Sequence, residues 1–149
     1  PDPSTGALVT KTTYVYTDSA TPGSTSVTQT DTFGAGISSA TYTYFDGLNR
    51  KLQSRKQFEA GLYVVNDWTY NNLGLLNTES LPYFGTGSAK TTATTSASML
   101  TTYTYDPQQR VSTVTNAVGT TQNTYDRWTM TTTDANSKIK DYLPLPLVL

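Results

Sequence analysis

Over Thr41-Tyr42-Thr43-Tyr44 aromatic and small polar residues alternate with period two, which sets a tyrosine face against a threonine face on one strand. The same kind of pattern runs along the chain. Leu8–Tyr16 is a β-branched and aromatic run, and Thr17–Ser24 follows with the Asp, Pro and Gly of a turn. Thr25–Phe33, Ser39–Tyr44, Arg50–Phe58 and Leu62–Tyr70 read as strands, with turns at Gly34-Ala35-Gly36, Asp46–Asn49 and Glu59-Ala60-Gly61. Asn71-Asn72-Leu73-Gly74 turns into Leu75–Leu81, and Pro82-Tyr83-Phe84 ends this stretch. Gly85–Ser98 is rich in Gly, Ser, Ala and Thr with no apolar periodicity, which predicts an exposed loop or mobile insertion. Strands resume over Met99–Tyr105, Arg110–Thr115, Thr120–Tyr125, Trp128–Thr133 and Lys138–Tyr142. Short strands with turn signals every ~8–12 residues describe a run of hairpins, and no segment carries a helical apolar stripe.

The turns share a phrase: Tyr, then Asp or Asn, then a turn, then a basic or apolar residue that restarts a strand. It stands at Tyr44-Phe45-Asp46-Gly47-Leu48-Asn49-Arg50, at Tyr70-Asn71-Asn72-Leu73-Gly74-Leu75 and at Tyr105-Asp106-Pro107-Gln108-Gln109-Arg110, with a weaker copy at Tyr125-Asp126-Arg127-Trp128. Recurrence every ~20–35 residues predicts a stacked repeat architecture. An Asp carboxylate accepts hydrogen bonds from backbone N–H groups two residues on, which fixes the turn at Asp46 and Asp106. The last turn position asks for positive φ. Gly74 meets that freely and Asn49 is the next best residue, whereas Gln109 predicts a different turn or strain of about 1 kcal/mol. The tyrosine before the turn is expected to pack its ring on the next hairpin, forming a ladder, with its hydroxyl at the wet edge.

Composition fits this picture. Thr is roughly a fifth of the 149 residues, there are 11 Tyr, and Gly, Asn, Asp and Pro punctuate them. Modest aliphatic content argues against a closed, deep core. The fold class expected is therefore all-β, built of successive antiparallel hairpins. Charged residues are 14 % and net charge is −1, so nothing steers the chain toward nucleic acid. Without Cys or His, disulfides, thiolate chemistry and Ser-His or Cys-His arrangements are excluded. No signal peptide or apolar run of spanning length occurs within the sequence, and a start at Pro1 without Met is the look of a fragment. The tail Leu143-Pro144-Leu145-Pro146-Leu147-Val148-Leu149 has no polar face, and two prolines bar it from a central strand. It reads as a truncation edge, or else as an apolar peptide for a neighbouring groove.

Candidate chemistry is sparse. Asp18, Asp31, Asp46, Asp67, Asp106, Asp126, Asp134 and Asp141 are assigned mostly to turns, and no Asp-x-Asp-x-Asp calcium cluster is present. Arg50, Arg55, Arg110 and Arg127 read as a solvated strand face or as cross-strand charge partners. Trp68 and Trp128 read as packed strand residues, or else as aromatic platforms stacking on sugars. The Ser and Thr hydroxyls have no activating base, and no phosphate loop or zinc spacing occurs. No catalytic, cofactor or metal residue is assigned.

The repeated phrases resemble the YD-repeat (Tyr-Asp) family of Rhs proteins and Tc-toxin cocoon subunits. The family phrase is Tyr-Asp, two free residues, Gly-Arg, a strand, then a Gly-containing turn. Asp46-Gly47-Leu48-Asn49-Arg50-Lys51-Leu52-Gln53-Ser54 is similar to it, as are Tyr70–Leu75 running on to Leu81-Pro82-Tyr83-Phe84 and Asn116–Thr121 leading to Tyr125–Thr129. The resemblance covers residues 40–142. Asn49, Gln109, Ser137 and Arg127 stand where Gly is usual, and the region before residue 38 matches only in composition. It implies repeat hairpins over 38–84 and 99–142, a loop over 85–98, and a degenerate repeat or other β module over 1–37. The residues carrying the motif are Tyr44, Asp46, Asn49, Arg50, Tyr70, Gly74, Tyr105, Asp106, Arg110, Gly119, Tyr125 and Asp126. The resemblance further implies a secreted or cell-surface β-shell that winds round a chamber and holds an unfolded or toxic C-terminal polypeptide. The partners are then neighbouring repeats and that cargo. Cell-surface glycans are the partner on the alternative reading, a surface adhesin or carbohydrate-binding module. Family shells often end in an Asp-Pro-x-Gly-Leu-like self-cleavage element. Asp106-Pro107-Gln108-Gln109-Arg110 is repeat instead, so no proteolysis is assigned.

Overall fold

The computed structural model describes residues 10–21, 23–33 and 37–142. The predicted Gly34-Ala35-Gly36 turn, the start of the first strand and the 143–149 tail lie outside them. The chain divides into two units, residues 1–68 with 82–93 and residues 69–81 with 94–149. Both are all-β, and every ladder in them is antiparallel.

In the first unit, β1 (Thr10–Thr17), β2 (Thr25–Phe33), β3 (Ser38–Phe45), β4 (Lys51–Glu59) and β5 (Leu62–Tyr70) pair in chain order. The sixth strand, β7 (Tyr83–Thr86), pairs with β5 through Leu62↔Thr86 to Val65↔Tyr83. Sequence reading ended the stretch at these residues and missed this strand. Gly85 explains its closeness: a Cβ there would sit 3.0 Å from Val65 Cγ2 and 3.1 Å from Arg55 Nη2. In the second unit, β6 (Leu76–Ser80) pairs with β8 (Leu100–Tyr105). From β8 the ladder continues in chain order through β9 (Val111–Asn116), β10 (Gly119–Asp126), β11 (Thr129–Thr133) and β12 (Ile139–Tyr142). A 3-10 turn at Ala97–Met99 precedes β8.

The abundant threonines take a structural role on these strands. Thr104 Oγ1 lies 2.6 Å from Thr113 Oγ1, Thr115 Oγ1 2.9 Å from Thr120 Oγ1, and Thr69 Oγ1 2.6 Å from Thr78 Oγ1. Such cross-strand hydroxyl pairs each contribute about 0.2–1 kcal/mol and let a sheet hold together without an apolar core. Among the described residues the buried hydrophobic side chains are Tyr63 and Val65. Tyr63 meets Tyr42 edge to face, with ring centroids 6.0 Å apart.

Two kinds of turn recur among the described residues. One is a two-residue connection, seen at Ala60-Gly61, Ala117-Val118 and Arg127-Trp128 between the pairs Glu59↔Leu62, Asn116↔Gly119 and Asp126↔Thr129. The other is a five-residue Asx turn whose fourth residue is left-handed. The Tyr125-Asp126-Arg127-Trp128 phrase therefore belongs to the first kind, which corrects its reading as a weak copy of the second. The true further copy is Asp134-Ala135-Asn136-Ser137-Lys138.

Candidate functional site

The Asx turn is the unit from which the sequence motif is built. Asp46 Oδ1 accepts hydrogen bonds from the N–H of Leu48 and Arg50, each at 2.9 Å. Asp106 Oδ1 accepts from Gln108 and Arg110, also at 2.9 Å. Asn71 Oδ1 accepts from Leu73 and Leu75 at 3.0 Å, and Asp134 Oδ1 from Asn136 and Lys138 at 2.9 and 2.8 Å. In all four, the first residue's N–H donates to the fifth residue's carbonyl, and the fourth residue's N–H donates to the first residue's carbonyl. The fourth residue is left-handed each time: Asn49 at φ 61°, Gly74 at 81°, Gln109 at 64° and Ser137 at 62°. This is the turn-plus-bulge geometry of a hairpin loop, and the register slips beside it at Tyr44/Phe45 and Thr104/Tyr105. Gln109 adopts the common turn, so the alternative of a different turn is ruled out.

Arg50 and Arg110 close the turns that begin four residues earlier. Their Nε atoms donate to Asp46 and Asp106 Oδ2 at 2.7 Å, and their Nη2 atoms lie 2.6 and 2.7 Å from the same oxygens. Burial pushes each carboxyl upward. The arginine N–H, the guanidinium and the N–H two residues on outweigh it and hold both below the usual carboxylate range. The Arg110 guanidinium also lies 4.1 Å from the centroid of the Tyr125 ring.

The motif tyrosines depart from expectation. Tyr44 donates its hydroxyl to the Ser88 carbonyl at 2.8 Å, Tyr105 to Leu76 at 2.7 Å and Tyr125 to Val111 at 2.9 Å. These hydroxyls are tied to backbone on other segments rather than kept at a wet edge. Tyr105 and Tyr125 act as struts between neighbouring strands, and Tyr44 ties β3 to the segment after β7. Tyr70 lies half-buried at the end of β5, and Gly119 opens β10.

The most buried cluster lies on β4 and β5 of the first unit, and it is polar. Gln53 and Arg55 are each 1 % exposed, Asp67 2 % and Val65 0 %. They share one face because Gln53 pairs with Asp67 and Arg55 with Val65. Segment 86–91 caps this face. Arg55 Nε donates to the Gly87 carbonyl at 2.9 Å and Nη2 to Thr86 at 2.8 Å; Nη1 donates to Gln53 Oε1 and Thr91 Oγ1 at 3.0 Å each. Gln53 Nε2 donates to Asp67 Oδ1 at 2.6 Å, and Oε1 accepts the Thr91 N–H at 3.0 Å. Tyr83 donates its hydroxyl to Asp67 Oδ2 at 2.7 Å. Burial, then the bond to the Asp67 carboxylate and its charge, push the Tyr83 phenol up to about 12. Gln53 thus bridges a buried cation and a buried anion. Among the described residues no buried side-chain nitrogen or oxygen lacks a partner.

Several readings are corrected by this arrangement. Arg55 is not a solvated strand residue. Asp67 is buried on β5, Asp31 sits within β2 bonded by Thr12 and Gln29, and Asp141 sits in β12 bonded by Thr131, so none of the three is a turn residue. The 85–98 segment is mostly exposed, but residues 85–91 close β7 and supply the acceptors for Arg55. Trp128 is 83 % exposed at the tip of the β10–β11 turn, not packed on a strand face. Trp68 is half-buried near the end of β5, with Lys51 Nζ 5.7 Å from its ring centroid. The two tryptophans belong to different units.

The second unit carries an open hollow of about 400 Å³ lined by Thr95, Ala97, Leu100, Thr102, Thr115 and Asn116, among others. These side chains offer hydroxyl, amide and methyl groups but no titratable one. Among the described residues no group of three or more His, Cys, Asp or Glu is placed to hold a metal, and no helix is long and apolar enough to cross a membrane. Comparison with family models, curated proteins and solved structures finds no match to this chain.

Proposed function

We propose that the chain is a wall segment of a Tyr-Asp-repeat β-shell, secreted or displayed at the cell surface, that encloses and helps deliver a C-terminal toxin polypeptide. The observation that supports this reading most strongly is the recurrence of one turn. The Asx turns at Asp46, Asn71, Asp106 and Asp134 share their bonding pattern and their left-handed fourth residue, although only two of the four carry Arg at the fifth. Repetition of a local unit with drifting sequence is how extended repeat walls are built. In this reading the segment contributes no catalytic group. The neighbouring repeats and the enclosed polypeptide are its partners.

The test is limited proteolysis of the parent protein containing this segment, intact and after partial denaturation. A C-terminal polypeptide that resists cleavage only while the β-region is intact is the expected result. A C-terminal region cleaved equally under both conditions overturns the reading. A second reading, a glycan-binding surface module, is favoured by the exposure of Trp128. It requires glycan-array binding that Trp128→Ala abolishes with folding intact.

A further inference from the structure

Segment 86–91 is held in an unusual way. The carbonyls of Thr86, Gly87, Ser88 and Thr91 each accept a hydrogen bond from a sheet side chain, namely Arg55, Arg55, Tyr44 and Gln53. The Thr91 N–H is in turn accepted by Gln53 Oε1. Thr91 Oγ1 is the segment's side-chain atom in the network. Just before it, β7 adds to β5 by main-chain pairing. The sheet thus reads the segment almost wholly through its backbone, as peptide-binding sheets read an added strand. Ser88, Ala89 and Lys90 are not read by the Arg55–Gln53 pair through their side chains.

We infer that the face formed by Tyr44, Gln53, Arg55 and the β5 edge is a peptide-binding site occupied in cis, and that its ligand class is an extended polypeptide anchored by the Tyr83 hydroxyl on Asp67 and read mainly through its backbone from Thr86 onward. Segment 83–91 is its built-in occupant. An occupant on the same chain is present at an effective concentration of order millimolar, so a free peptide competes poorly while it is seated. Gly85 is the release point: any Cβ there meets Val65 Cγ2 and Arg55 Nη2, and a branched one cannot be accommodated without displacing β7. The inference concerns this chain alone and holds or fails independently of the shell reading.

The experiment uses the full chain carrying Gly85→Val and a fluorescent synthetic peptide of residues 83–93. Saturable binding is expected, at least about tenfold tighter than to the unmodified chain, whose own segment blocks the site. Changing the peptide at Ser88, Ala89 and Lys90 is expected to alter affinity by less than about threefold. Adding Arg55→Lys to the protein is expected to weaken binding by roughly tenfold or more, because an ammonium cannot reproduce the fork of bonds to two carbonyls. Absence of saturable binding to the folded variant, or strong dependence on those three side chains, overturns the proposal. Should Gly85→Val fail to fold alone, refolding with the peptide must restore the β circular dichroism, and failure to restore it counts against the proposal equally.

Discussion

The two units use the same hairpin grammar and reach different interiors. The first lays residues 83–91 over one face and buries Gln53, Arg55, Val65 and Asp67 beneath them. In the second the strands pair as regularly, yet among its described residues Ser80 is the one that is buried. Cross-strand hydroxyl pairs and tyrosine struts serve there instead. The difference teaches that Asx turns and Thr-rich strands suffice to pair strands, and that burial in this chain comes from a covering segment. Because that covering is bonded by charge-assisted polar contacts, it is specific in geometry and costly to break.

The sharpest way to break the comparison is Arg55→Ala. It leaves the Thr86 and Gly87 carbonyls without their donors and uncouples Gln53. A loss of about 3–5 kcal/mol is expected for the first unit in a denaturant titration, with the second unit's transition little moved. An effect below about 1 kcal/mol would mean that the covering segment contributes little. Gly85→Ala is milder. Its Cβ meets Val65 and Arg55 at 3.0–3.1 Å, and a loss of about 1–3 kcal/mol is expected from the same measurement.

The turns give a smaller, signed contrast. Gly74→Ala forces a Cβ into a φ of 81°, with an expected cost of about 1–2 kcal/mol, whereas Gln109→Gly relieves a φ of 64° and is expected to gain about 0.5 kcal/mol after the entropy of the added glycine. Thermal melts of the two variants should shift in opposite directions. Alkaline titration gives a further contrast. The folded state holds the Tyr83 proton more tightly than the unfolded chain does, since the phenol rises from 10.0 to about 12. Its contribution is fully present below pH 10 and is lost as pH climbs toward 12. Tyr83→Phe is expected to flatten that part of the stability profile.

Much of this fold was legible in the sequence because the signals were local. β-branched and aromatic runs between turn signals located eleven of the twelve described strands to within a residue or two. The need for positive φ picked out Gly74 and Asn49 and marked Gln109 as strained, and the family resemblance marked Arg127 and Ser137 as positions where Gly is usual; all five are left-handed. The missing strand, β7, is four residues long, holds a Gly and lies beside a Pro, so it has no pattern to read. The polar cluster was hidden for a different reason. On β4 the residues Gln53 and Arg55 look like an outward face, and the acceptors that let them turn inward are main-chain carbonyls of residues 86 and 87, which leave no trace in residue type. The one available hint was Asp67, two residues beyond Val65 on the face that also carries Tyr63. The Tyr125-Asp126 phrase misled because Tyr-Asp alone does not specify the loop. The Asx turns place a residue of positive φ three positions after a carboxylate or amide, but Asn116 and Gly119 share that spacing around a two-residue turn, so the spacing alone does not specify the loop either.

The most direct test of the account is amide hydrogen exchange on the intact chain. The slowest amides are expected at Arg55, Val65 and Asp67 and at the bonded N–H groups of Gly87 and Thr91, well behind those of the second unit, with Arg55→Ala erasing the gap. Equal or stronger protection in the second unit, or protection of β4 and β5 that survives Arg55→Ala, would contradict the claim that the polar-bonded covering segment is what organises the interior of the first.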